Sequence, residues 1–193
     1  MAYDISNIFH IEFEGPKRFE YVESKHLYPV QRDTWRYSHK VDLPAWPTIK
    51  MFGRPRDLRL LCCKYNVYIK FTNTYWMNFH FRPGFVTDLA SVPWFLRGIV
   101  DNDDHKVIQA ALVHDFLFAT NRLPFKIANS LFYKMLRANG YGRFKSLLAF
   151  WAVSSFVGRK KYKNTKSERA KWCNETVEMR LARPVQYDGR NWE

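Results

Sequence analysis

The chain has 193 residues, of which 31 are Lys or Arg and 18 are Asp or Glu; its formal charge is +13 at pH 7, with 47% apolar and 18% aromatic content. That length suits one domain with an extension, and the apolar share is enough for a core. Cys62, Cys63 and Cys173 exclude a secreted disulfide framework and C-x-x-C zinc spacing, and the longest apolar run, Leu147 to Val157, contains two serines and is too short to cross a bilayer.

The N-terminus, Met-Ala-Tyr-Asp-Ile-Ser, lacks the basic and apolar regions of a signal peptide, so reduced thiols and a cytoplasmic origin are expected. The first 95 residues are aromatic, β-branched and broken by Pro and Gly, which predicts short strands at Ile8–Phe13, Phe19–Val22, Leu58–Lys64, Asn66–Thr72 and Tyr75–Phe81. Cys62 and Cys63 would then sit on opposite faces of a strand, and Asn73-Thr74 would turn a hairpin. Pro29 to Pro55 carries four prolines and reads as a long loop or arm that wraps over something.

The second half changes to helical punctuation. Asp103 or Asp104 can cap a helix to about Thr120, and Pro124 suits the first turn of the next, which Gly140 ends. A third helix is predicted from Arg143 to Val157. A fourth has the capping-box pair Thr165 and Glu168 and is expected to continue to about Leu181. The predicted class is therefore α+β: a small antiparallel β region packed on about four helices. Three segments are expected: strands and a Pro-rich arm over 1–57, a core over 58–158, and a basic helix and tail over 159–193.

Charge is uneven along the chain. Residues 143–193 hold 12 Lys/Arg against 5 Asp/Glu, with the sharpest cluster at Arg159, Lys160, Lys161 and Lys163, followed by Lys166, Arg169 and Lys171. Such a cluster attracts DNA, an anionic surface or an acidic protein without choosing between them, and a merely solvated face is the alternative.

The most informative segment joins F-R-P-G-F-V-T-D-L-A-S-V-P-W, from Phe81, to A-A-L-V-H-D-F-L-F, ending at Phe118. His114 and Asp115 stand side by side in an otherwise apolar helix. A buried charge without a partner costs several kcal/mol or neutralises, so something must compensate. At about 100° per residue His114 shares a face with Ala110, Ala111 and Phe118, and the two alanines leave room for an approaching group.

Three chemistries fit these residues. His114 can act as general base while Asp115 holds a cation or orients water. Alternatively, Asp115 accepts hydrogen bonds from the Gly84–Ser91 turn while His114 caps a buried carbonyl. A zinc site is the weakest fit, because adjacent helical residues diverge and no H-x-x-x-H or Cys pair accompanies them. In the turn, Pro83-Gly84 and Pro93 bend the chain around Thr87, Asp88 and Ser91, residue types that bond local backbone. Ser91 does not lie in G-x-S-x-G, so it is not read as a nucleophile.

These motifs resemble the bacteriophage and prophage family termed domain of unknown function 1353, in Gly84-Phe85-Val86-Thr87-Asp88-Leu89-Ala90-Ser91-Val92-Pro93, Ala111-Leu112-Val113-His114-Asp115-Phe116-Leu117-Phe118 and Ala128-Asn129-Ser130-Leu131-Phe132. The resemblance covers roughly Leu58 to Gly158. A weaker likeness links the His-Asp helix to phospholipase A2 enzymes, without their disulfides or glycine-rich calcium loop. Two departures bear on chemistry: Phe118 replaces the family's Tyr, and Asn129 replaces an Asp able to orient the imidazole. An Asn supplies no negative charge for a protonated His and can favour the wrong tautomer; the analogous exchange in a serine protease triad costs about four orders of magnitude.

The resemblance implies two functions. One is a virion component of the tail or head-tail region, made in the host cytoplasm, with a degenerate hydrolase-like centre; it would dock on other phage proteins, with DNA or an anionic surface met by the basic segment. The other is a cation-assisted hydrolase of an ester, phospholipid or envelope component. In it His114 would activate water, Asp115 with Asp88 would hold calcium or another divalent cation, Ser91 would position substrate, and Asn129 would face the imidazole.

Overall fold

A computed structural model describes residues 10–14, 27–29, 59–72, 75–87, 104–155, 162 and 168–182. Its strands are β1 (His10–Glu14), β2 (Leu27–Pro29), β3 (Arg59–Leu61), β4 (Tyr65–Thr72), β5 (Tyr75–Phe81), β6 (Val86–Thr87) and β7 (Val177–Ala182). Its helices are α1 (His105–Thr120), α2 (Phe125–Ala138), α3 (Arg143–Ser154) and α4 (Glu168–Thr176). Small antiparallel sheets lie mainly in the N-terminal half and the helices in the C-terminal half, which is the expected α+β class.

The larger sheet has the order β1-β4-β5-β7 and the smaller one β2-β3-β6, both antiparallel throughout. Alternation in β4 and β5 sends Tyr65, Val67 and Ile69, paired with Phe81, Phe79 and Met77, into the core. The opposite face mixes Asn66, Lys70, Asn78 and His80 with Tyr68 and Trp76, and His80 Nδ1 lies 3.1 Å from Asn66 Oδ1 there. The register Thr72↔Tyr75 requires a two-residue connection between β4 and β5, although Asn73 and Thr74 themselves lie outside the described residues.

Against the inward face lies α1. Asp104 caps it by accepting from the Lys106 backbone N–H at 2.9 Å, and Asn121, at φ 51°, ends it in the left-handed region. Nearly all of α1 is buried, and Phe116 meets Phe79 and Phe81 edge-on at ring separations of 6.0 and 6.3 Å. The Tyr65 hydroxyl donates to the Gln109 carbonyl at 3.5 Å, joining the same helix to β4. α2 packs beside α1, and α3 packs on α2.

Three expectations need correction. The fourth helix does not reach Leu181: it stops at Thr176, and the alternating Val177-Glu178-Met179-Arg180-Leu181 becomes β7. Pairing Val177 with Phe81 and Met179 with Phe79 continues the apolar face of β5, and the Arg82 N–H donates to the Thr176 carbonyl where helix gives way to strand. β3 ends at Leu61 rather than Lys64, so Cys62 and Cys63 lie in the bend before β4 and not on two faces of a strand. The third helix ends at Ser154, before the predicted Val157. Phe19–Val22, the segment after Pro29 in the proposed arm, and the Thr165 cap lie outside the described residues.

All three cysteines are free. Burial, reinforced by the neighbouring Cys62 thiol, pushes the Cys63 thiol from its ordinary value of 9.0 up to about 11. The folded chain therefore holds this proton more tightly than the unfolded one. That contribution is fully present below pH 9 and is lost as pH rises from about 9 through about 11. Chemical denaturation across that range should show Cys63→Ala losing less stability with rising pH than the native chain; parallel pH profiles would contradict the assignment.

Candidate functional site

Three consecutive residues of α1 face three different partners, because successive helical positions diverge by about 100°. Phe116 enters the large sheet. His114 turns towards α2, where its Nε2 lies 3.0 Å from Asn129 Oδ1. Asp115 turns towards the small sheet, where its Oδ2 accepts a hydrogen bond from the Thr87 hydroxyl of β6. His114 is 4% exposed, Asp115 5%, and Asn129 and Thr87 are fully enclosed.

Two phenyl rings also pack against the imidazole, both tilted to it. Phe118, one turn further along α1, lies 4.0 Å away between ring centroids, and Phe132 of α2 lies at 4.8 Å. These contacts give the motif spacings a physical reason. In H-D-x-x-aromatic the fourth residue after His returns to its face; in A-N-x-x-F, Ala128 allows close helix approach, Asn129 meets the ring nitrogen, and Phe132 follows one turn later.

Chemistry follows from the atom pairing. An amide oxygen only accepts, so its contact with Nε2 is a hydrogen bond when that nitrogen carries the proton. In the neutral ring the lone pair then falls on Nδ1. With its oxygen facing the ring, Asn129 suits the Nε2-protonated imidazole, as an Asp at this position would, and the exchange removes the negative charge.

Asp88 and Ser91, assigned to cation and substrate, lie outside the described residues, as do Arg159, Lys160, Lys161, Lys163 and Lys166 of the basic cluster. Arg169 falls in α4, where Lys171 is exposed. Among the described residues no three His, Cys, Asp or Glu side chains form a metal-binding group, and no helix is long and apolar enough to cross a membrane.

Two residues of the site were not singled out from the sequence for the roles they take. Thr87 looked like a local turn residue but donates to Asp115 across 28 positions of chain. Tyr162, hidden inside the basic cluster, donates its hydroxyl to the Leu123 carbonyl and packs edge-on against Phe118 and Phe125 at 5.2 and 5.5 Å. Burial raises its phenol above the ordinary 10.0. Nothing local marked it: a Tyr between lysines reads as solvated.

Residues 65–153 match the model of the family described as "Protein of unknown function (DUF1353)". The matched segment contains β4 to β6 and α1 to α3, in which the His114 centre is built. Comparisons with curated proteins and with solved structures give no match.

The Thr87–Asp115 bond joins α1 to the small sheet in a dry setting, so each single truncation leaves a buried polar group behind. Asp115→Ala should destabilise by roughly 1–3 kcal/mol. In a double-mutant cycle with Thr87→Val, measured by urea unfolding, the pair should couple by about 0.5–3 kcal/mol. Strict additivity would mean that the two groups do not support one another.

Proposed function

We propose that this protein is a non-catalytic docking component of a bacteriophage particle, in the tail or head-tail region, whose His-Asp centre braces the fold. The observation carrying this reading is the closure of that centre. Both ionisable side chains are almost wholly enclosed, bonded to protein groups on separate elements, and the imidazole is flanked by Phe118 and Phe132. A catalytic pair must admit a substrate; a brace must exclude water. Phe118 and Asn129 also lack the hydroxyl and the charge carried by the family pattern at those positions. The basic segment from Arg159 to Lys171 then serves as a contact for other virion proteins, DNA or an anionic surface, with Tyr162 anchoring it against α1 and α2.

One observation favours a second reading, the cation-assisted hydrolase. The His114–Asn129 contact leaves the Nδ1 lone pair as the basic site of the neutral ring, which is what activation of water would use. In that reading Asp115 and Asp88 hold calcium or a similar cation and Ser91 orients the substrate.

A paired experiment separates them. The docking reading predicts a reproducible copy number in purified particles, and no turnover of ester or phospholipid substrates with calcium by the native chain. Absence from particles, together with native turnover abolished by His114→Ala, would reverse the ranking. The replacement Phe118→Tyr with Asn129→Asp restores the family's groups, and activity appearing only in that variant would identify a decayed enzyme.

A further inference from the structure

The outward face of α3 is apolar where a solvent-facing helix should be polar. Phe144 is 69% exposed and Trp151 59% exposed, with Leu147 between them also exposed. At about 100° per residue these three fall within a stripe roughly 60° wide. The opposite side of the helix carries the small buried residues Ser146, Ala149 and Val153. α3 is therefore seated on its neighbours through small side chains and presents its largest ones outward.

Along α3 itself the charge has one sign. Arg143 and Lys145 are both exposed and flank it, each about 100° from Phe144 on either side. Neither α2 nor α3 contains an acid. From Phe116 to Ser167 the sequence has eleven Lys or Arg and no Asp or Glu. An aromatic stripe between cations suits the boundary of an anionic bilayer, where rings enter the acyl border and Lys or Arg stems reach back to headgroups.

Area decides between a bilayer and a protein partner. The three exposed side chains offer roughly 350 Å², comparable to the largest apolar patch of a monomer. A stable protein interface needs about 800 Å² from each side, whereas a shallow interfacial helix needs an apolar edge and electrostatic attraction. We infer that the Phe144–Leu147–Trp151 face of α3, with Arg143 and Lys145 beside it, docks on the surface of an anionic phospholipid bilayer. This surface is separate from the His114 centre and stands whether or not that centre is catalytic.

The test is co-sedimentation of the full chain with vesicles of phosphatidylcholine containing phosphatidylglycerol, beside vesicles of phosphatidylcholine alone. Binding is expected only to the anionic vesicles and should weaken between about 50 and 200 mM salt. Phe144→Ser with Trp151→Ser should lower the affinity by about tenfold or more. Arg143→Gln with Lys145→Gln should lower it and flatten the salt dependence. Circular dichroism checks that each variant is folded, and Lys160, Lys161 and Lys163→Gln, which leaves α3 intact, should keep the aromatic-dependent part of binding. Equal vesicle binding by the native and serine variants would overturn the proposal, as would no vesicle binding by the native chain. A native dimer made monomeric by Trp151→Ser would also overturn it, assigning the face to a second copy.

Discussion

Burying two adjacent ionisable residues in one helix is the constraint around which the described structure is arranged. Neighbours on a helix point about 100° apart, so His114 and Asp115 cannot share one partner, and each unpaired group would cost several kcal/mol. The fold answers from two sides: Asn129 on α2 meets the imidazole, and Thr87 on β6 donates to the carboxylate. Because the third neighbour, Phe116, packs into the large sheet, three consecutive residues register α1 against three different elements. Displacing α1 would therefore break contacts with all three.

The same geometry ties fold to function. A centre that holds helix to helix and helix to sheet is valuable as a brace only while water stays out, and the rings of Phe118 and Phe132 pack against the imidazole. Tyr162 extends that cover, since it packs on Phe118 and bonds to the Leu123 carbonyl. Tyr162 itself is in this way held against the domain. The aromatic side of α3 is different in kind, because its rings have no core to fill and point away from one.

Much of this was legible in the sequence. Asp104 and Pro124 marked helix starts, the alternation of β4 and β5 set their buried faces, and His-Asp in an apolar run announced a compensated polar centre. β7 was not legible because a capping pattern and a helical start suggested continuation, while Val177-Glu178-Met179 acquires its meaning only beside β5. The same limit hid Thr87 and Tyr162. Both belong to residue types at home in turns or on surfaces, and their partners are distant in the chain. The tautomer of His114 was out of reach for a related reason: it depends on which atom of Asn129 faces the ring, and spacing cannot specify that.

Nitrogen-15 NMR of the His114 ring tests the brace most directly, because it reports both the tautomer and access to the site. The account predicts a ring protonated at Nε2, with that proton protected from exchange with water and its signals unmoved by calcium. Protonation at Nδ1 alone, exchange as rapid as that of an exposed imidazole, or a shift on adding calcium would contradict it.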